Sequence, residues 1–412
     1  MHDVVVVGAG PAGLSAAAEL SHTRDCLLLE QGHAHDSRDR DDPRDVLAGI
    51  GGAGLFSDGK HSFWPSASAL WTLPDHDLLA AAFDRTAALL ARHGVAATAW
   101  HPHALAEPAP GAWHLKRYPS IYMSLPRRMA AISELAAACP QRWTAARVVA
   151  ATREPNHLRL TVAHGDTLVD VATHHLVVAT GRLSPTWLRP WLTPLGVRFS
   201  FRRLEFGLRI ESRSSAPLFH QLDGTDPKLR LREPDGSETR TFCVCRDGEV
   251  VLGRADADAG SIAAWSGRAD GPASGRSNLG LLVRTADEPR ARQILPALTA
   301  AAPRSLPLAA LTPSILTDHF AEAGAAALLR ALARLHDWCP ALATDRDARA
   351  HLPCIEGVGD YPDDDGALAL APDIWAAGDV CGRFRGIVAS MISGRYVAAR
   401  ITTGSPGTPA RR

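Results

Sequence analysis

The sequence predicts an α/β fold: a parallel-sheet domain assembled from separated segments of the chain, with a sheet-rich α+β domain inserted between them. Three observations predict it. The opening residues read as strand, tight turn, helix and strand. Two later buried runs, His175 to Thr180 and Ile374 to Ala377, each lead into a glycine. Between them, from about Phe199 to Leu282, the pattern changes to short strands punctuated by glycine, aspartate and proline.

Val4 to Val7 is an unbroken apolar run, as a parallel strand covered on both faces requires. Leu14 to Leu20 carries an alanine-rich helix, and Cys26 to Leu29 supplies the next buried strand, completing a βαβ unit. Asp36 to Asp45 is a charged stretch and predicts a solvated loop. A glycine-rich stretch follows at Gly49 to Trp64. Leu78 to Arg92 predicts a helix, and the proline-rich 102–110 an irregular segment. Pro126 to Cys139 is an amphipathic helix, after which Arg147 to Ala151, Leu158 to Ala163 and Thr167 to Ala172 alternate as short strands. Helices are predicted near Ala291 to Ala301, Phe320 to His336 and Gly386 to Ile401. The resulting division assigns 1–64, 115–198 and 355–412 to the nucleotide-binding domain and 65–114 and 199–354 to the inserted substrate or cap domain.

A chain of 412 residues buries a large core. Lysine plus arginine equals aspartate plus glutamate at 44 each, so no global field favours nucleic acid or an anionic membrane, and the expected partner is a small molecule. The opening MHDVVVV has no basic region before its four valines, which predicts a soluble, cytoplasmic protein. Seven scattered cysteines do not make a disulfide framework, and without a second closely spaced pair beside Cys243 and Cys245 they make no zinc set. On a regular strand those two would face one side about 6.6 Å apart. That is near the limit of disulfide reach, so packing is the expected role.

Gly8-Ala9-Gly10-Pro11-Ala12-Gly13 falls where the first strand turns into the first helix. Glycines there permit the tight turn and let a pyrophosphate approach backbone amides and the positive end of the helix. Glu30 ends the following strand, at roughly the twenty-residue spacing at which a carboxylate accepts ribose hydroxyls. This is a Rossmann-like dinucleotide cradle. Val177-Val178-Ala179-Thr180-Gly181 resembles the strand-to-turn element of flavoproteins with two dinucleotide domains, and Ala377-Gly378-Asp379 resembles their carboxyl-terminal element, whose aspartate holds the ribityl chain. In this order the three segments favour FAD. The helix after Gly386 would then offer the amides of Ile387 and Val388 to the flavin pyrimidine, with Arg383 and Arg385 adding positive potential.

Four further stretches, GIGGAGLFSDGK (Gly49 to Lys60), RYPSIYMS (Arg117 to Ser124), LEFGLRIE (Leu204 to Glu211) and DPKLRL with RTFCVCRDGEVV (within Asp226 to Val251), span most of the chain. With them the sequence resembles the bacterial predicted FAD-dependent dehydrogenases, also called NAD(FAD)-utilising dehydrogenases. The resemblance implies a glutathione-reductase-like FAD domain with an inserted substrate domain. Such relatives carry an arginine-rich segment and a GEGAG-type element near the carboxyl terminus. Here AHLPCIEG (Ala350 to Gly357) and GDVCGRF (Gly378 to Phe384) stand instead, implying an altered active-site mouth and a specialised substrate, one of secondary metabolism.

The glycines Gly51, Gly52 and Gly54 would let backbone approach FAD, with Ser57, Asp58 and Lys60 following beside the ring. Lys60, His61 and Tyr122 are the candidate catalytic groups: an ammonium near flavin N5, a base with near-neutral pKa, and a phenol acid or base. The expected function is an FAD-dependent oxidoreductase, a dehydrogenase or oxidase taking hydride from a small organic substrate. An NAD(P)H-dependent flavin monooxygenase with a transient nicotinamide, and a non-catalytic flavin-binding protein, are the alternatives.

Overall fold

A computed structural model describes residues 1–100, 111–257 and 260–404, so the proline-rich 102–110 lies outside the described residues. The first strand, His2–Val7, pairs in parallel with Cys26–Leu29 on one side and with Thr167–Val178 on the other. Ile374–Ala376 adds to the far edge of Thr167–Val178 and Arg142–Trp143 to that of Cys26–Leu29, both in parallel. Three stretches of the chain thus build one parallel core. The valines of the first strand are 7% exposed or less, as a strand covered on both faces must be.

Thr167–Val178 is one strand, where two separate runs were expected. Its first half closes an antiparallel meander with Ala146–Arg153 and Leu158–His164, and its second half enters the parallel sheet beside His2–Val7. The charged stretch from Asp36 to Asp45 corrects another expectation, because it is not wholly solvated. Arg38 and Asp45 are 7% and 6% exposed. The Arg38 guanidinium donates to the carbonyls of Asp45, Ile50 and Gly52, supplying partners that backbone carbonyls buried in a loop would otherwise lack.

The second sheet is antiparallel and seven-stranded. Its order is Arg304–Pro307, Arg349–Pro362, Phe199–Arg213, Arg276–Thr285, Glu238–Cys245, Lys228–Arg232 and His114–Lys116. Three departures from the sequence-based division follow, the first being that the boundary at residue 115 cuts the strand His114–Lys116, which pairs with Lys228–Arg232 in this sheet. The boundary at residue 355 falls inside the 14-residue strand Arg349–Pro362, which belongs to this sheet throughout its length. Leu70, Trp71, Leu79, Phe83, Leu89 and Leu90, placed by sequence in the cap, join the hydrophobic core of the first sheet. The cause is the helix His76–Arg92, whose apolar face packs on the last helix, Ile387–Thr403.

That last helix is buried along most of its length and lies against the first, Pro11–Leu20. The approach is close: a Cβ added at Gly394 would sit 2.1 Å from the carbonyl oxygen of Ala12. Gly394→Ala is therefore expected to push the helices apart and cost about 1–3 kcal/mol, the usual penalty of overpacking. Urea unfolding monitored by circular dichroism checks it.

Candidate functional site

Between the two sheets lies a cavity of about 1070 Å³, above the roughly 300–1,000 Å³ of an ordinary small-ligand site. One end is the glycine turn. Gly8 has φ +100°, and a Cβ on Gly13 would lie 1.8 Å from the Gly8 carbonyl oxygen, so these two glycines shape the turn itself. Gly10 is different. Its added Cβ would meet only Gly52 Cα at 4.0 Å, leaving open space where a ligand backbone would pass.

Glu30 is 6% exposed at the end of its strand. Its carboxylate accepts from the amides of Ala9 at 2.7 Å, Gly32 at 2.8 Å and Gly49 at 2.9 Å. The residue expected to meet a ribose thus first ties the glycine turn to the second glycine segment. Two of the three amides share one oxygen, so the other retains acceptor capacity toward the cavity it lines. Gly51 donates its amide to the Ala9 carbonyl, seating the Gly49 to Gly54 segment on the turn.

Of the other residues expected to hold a cofactor, Gly8, Pro11, Ala12, Gly52, Gly54, Ser57, Ala179, Thr180, Gly181, Asp379, Gly386 and Ile387 line this cavity. Gly13, Gly378 and Val388 stand behind its wall: the Gly378 amide donates to Ser393 Oγ at 2.9 Å, and Val388 is 2% exposed. Gly386 has φ +114° with nothing within 4 Å of an added Cβ, and no side chain caps the helix it opens. Asp379 accepts from Ser390 Oγ at 3.1 Å, and burial pushes its carboxyl up although Arg385 and Arg182 pull it down.

The expected catalytic groups separate. Lys60 faces the cavity, whereas His61 and Tyr122 are not among its lining residues. Alternation along the strand Lys60–Ser62 explains His61, which turns into the core, 2% exposed, with Nδ1 donating to the Gly59 carbonyl at 3.1 Å. Burial pushes its pKa down to about 4. Tyr122 pairs with Lys60 across the short sheet but is 43% exposed, and burial of the rest of the ring raises it to about 12. Neither is poised near neutrality.

Lys60 instead centres a buried network that sequence reasoning did not assemble. Its Nζ lies 2.9 Å from Asp58, donates to Asp226 Oδ1 at 2.9 Å and donates to the Val244 carbonyl at 2.6 Å. Burial opposes its charge, but the two carboxylates outweigh burial and hold its pKa well above the ordinary value. Asp226 is held down to about 2 against its own burial by Lys60 and Lys228. The Tyr118 hydroxyl donates to Asp226 Oδ2 at 2.5 Å, and burial with that carboxylate keeps the phenol protonated. Cys243 Sγ donates to Asp58 Oδ2 at 2.7 Å. Tyr118 and Asp226 sit in two of the stretches that carry the family resemblance, RYPSIYMS and DPKLRL, and that was the available signal.

Cys243 and Cys245 do not share a face. A β-bulge between Phe242 and Cys245, with φ +52° at Cys243, breaks the alternation. Cys243 turns to the cavity and Cys245 into the core, where its thiol meets the Arg268 carbonyl at 3.4 Å. All seven cysteines are free. Among the described residues no group of three or more His, Cys, Asp or Glu side chains is arranged to hold a metal ion, and no helix is long and apolar enough to cross a membrane.

Residues 6–73 match the family described as NAD(P)-binding Rossmann-like domain. No curated protein matches the chain. Among solved structures it is similar to AlpK, with 14% identity over 97% of this chain and 61% of that one and a TM-score of 0.43. A geranylgeranyl bacteriochlorophyll reductase-like protein from Thermoplasma acidophilum gives 13% identity over 98% and 78% of the two chains, with a TM-score of 0.45. The OxyS anhydrotetracycline hydroxylase from Streptomyces rimosus gives 14% over 98% and 63%, with a TM-score of 0.42. The chain spans about three fifths of the length of AlpK, 61%.

The position of His61 has a measurable consequence. A folded pKa of about 4, below the usual 6.5, means that the unfolded chain binds the proton first as pH falls. Stability is expected to be full above about 6.5 and to decline toward pH 4, by on the order of 3 kcal/mol at the lower end. In His61→Gln the slope of unfolding free energy against pH across that window should be shallower by the equivalent of one proton, as urea titrations at a series of pH values would show.

Proposed function

We propose that the chain is an FAD-dependent oxidoreductase acting on a small organic substrate, of the kind that the predicted FAD-dependent dehydrogenases represent. One observation carries this reading. The open glycine cradle at Gly10, the Asp379 carboxylate, the uncapped helix after Gly386 and the Lys60 network all line a single cavity. A nicotinamide cradle alone would not need the carboxyl-terminal half of that lining.

The residues present fit FAD. Gly8, Gly10 and the first amides of Pro11–Leu20 would take the pyrophosphate, Glu30 a ribose hydroxyl, Asp379 the ribityl chain, and Gly386 with the amide of Ile387 the pyrimidine edge. When bound, FAD supplies hydride acceptance, which the side chains of the protein cannot. The chain supplies position and charge. Lys60 and Tyr118 are fixed through Asp226, so the first brings a held positive charge and the second, its hydrogen committed to that carboxylate, a held acceptor oxygen to the cavity without rearranging. The Asp58 carboxylate holds the Cys243 thiol as a donor, and burial, with that carboxylate next, raises its pKa well above the ordinary value, which keeps it protonated. The second sheet closes the cavity with Phe242, Arg284 and Glu356.

The direction of electron flow is tested by an anaerobic visible spectrum of FAD-reconstituted protein before and after separate additions of NADH and NADPH. We expect flavin bands that neither nucleotide bleaches and that a substrate does. Bleaching by NADPH, with substrate-stimulated NADPH oxidation and oxygen incorporation, would transfer the assignment to a monooxygenase. No flavin bands after reconstitution would end both readings.

Gly10→Ala separates cofactor binding from folding. Its backbone at φ −70° suits alanine and the added methyl meets no protein atom closer than 4.0 Å. Urea stability without FAD is therefore expected to match the parent within about 0.5 kcal/mol, as at other surface sites. FAD affinity, read by flavin fluorescence quenching, should fall at least about tenfold, the loss of about 1.4 kcal/mol of binding.

A further inference from the structure

Period-two alternation in Lys228–Arg232 buries Leu229 and Leu231, the former in the core of the second sheet, and sends Lys228 and Arg230 to the cavity. The neighbouring strands repeat the pattern. Lys116, Arg240 and Arg284 also line the cavity, so four adjacent strands present five cations on one wall. Register makes this costly: Lys116 stands directly opposite Lys228, and Arg230 directly opposite Arg240. Like charges facing each other across a sheet repel.

Carboxylates among the described residues meet some of these cations and not others. Lys228 has Asp226 at 3.7 Å, Arg230 has Glu238 at 2.5 Å, and Arg240 and Arg284 share Glu205, each at 3.2 Å. Among the described residues these are three carboxylates, and two of the three are also committed elsewhere, Asp226 to Lys60 and Glu205 to Arg385 at 2.8 Å. Lys116 donates to Ser68 Oγ at 2.9 Å and, among the described residues, meets no carboxylate. Burial and the adjacent cations Lys228, Arg230 and Arg240 push its pKa down to about 8. Arg240 is 8% exposed, and its Nε is buried without a hydrogen-bond partner among the described residues. Aromatic faces hold the cluster in place: the Lys228 ammonium lies 4.8 Å from the Tyr118 ring centre and 5.0 Å from that of Phe242.

We propose that this wall is the recognition site for an organic acid carrying two or more carboxylates, which lie against Lys116, Lys228, Arg230 and Arg240 while its carbon skeleton extends toward Lys60 and Asp379. The inference rests on the oxidoreductase reading for what the skeleton faces, and names the substrate class of that site. A dianion places negative charge between Lys116 and Lys228 and between Arg230 and Arg240, and so relieves both repelling pairs. Guanidinium groups suit planar carboxylates in particular.

The test is calorimetric titration of isophthalate, its neutral diamide and NADPH into the full chain with excess FAD, for the parent, Lys116→Met and Lys228→Met. Isophthalate is expected to bind at least ten times more tightly than the diamide, more weakly as salt rises, and about tenfold more weakly to either variant. Lys116→Met should meanwhile raise the urea midpoint of the ligand-free protein, because it removes one of two repelling charges. That distinguishes a lost anion contact from a damaged fold. The proposal is overturned if isophthalate does not bind, if the diamide binds as well, if neither substitution weakens isophthalate, or if both weaken only NADPH. The visible spectrum of the same samples reports flavin separately: bound flavin without acid binding rejects this inference alone, and charge-dependent acid binding without flavin rejects the oxidoreductase reading alone.

Discussion

The structure depends on one buried charge contact, that of Lys60 with Asp226. The ammonium comes from the glycine-rich segment seated on the dinucleotide turn, and the carboxylate comes from the bend just before the strand Lys228–Arg232 of the second sheet. Taking such a pair out of water costs several kcal/mol per ion before attraction and hydrogen bonds are counted. That cost is met here because every group has several partners: Lys60 reaches two carboxylates and a carbonyl, and Asp226 also accepts from Tyr118. The contact is therefore specific. Sliding one sheet over the other would strand charges at the seam, and the cavity keeps its shape for the same reason.

A second seam repeats the logic with opposite sign. Glu205, fully buried, is surrounded by Arg203, Arg240, Arg284 and Arg385, and burial, which would raise its pKa, loses to those four guanidiniums. Arg385 immediately precedes Gly386, so the carboxylate of the second sheet locates the start of the last helix. The two ends of the cavity, glycine segment and helix start, are each pinned by charge to residues of the second sheet or of the bend that leads into it.

Legibility from sequence followed the range of the interactions. The βαβ unit was readable because its signals are local: four valines, a glycine turn, an alanine-rich helix and an acidic strand end. Lys60 was readable through its neighbours in an unusual stretch. Tyr118 and Asp226 were not assigned roles, since their meaning lies in a contact between residues 108 apart. His61 and Tyr122 failed as candidates for a related reason. Residue type suggests a proton carrier, whereas strand alternation and exposure decide whether the group reaches the cavity. The Asp36 to Asp45 stretch misled because composition cannot show that Arg38 satisfies loop carbonyls. The strand Arg349–Pro362 was read only as an altered motif, though it pairs along the long strand Phe199–Arg213 and carries Glu356 to the seam.

The interleaving of the two sheets bears on how the molecule comes to exist. His114–Lys116 must find Lys228–Arg232, and Phe199–Arg213 must find Arg349–Pro362, pairings that close loops of more than a hundred residues. Closing such loops precedes the contacts that repay them, so chains of high contact order fold slowly. Neither sheet is complete until the last strands have left the ribosome. Until then the nascent chain carries open strand edges, and its vulnerability to aggregation belongs to synthesis rather than to the finished protein.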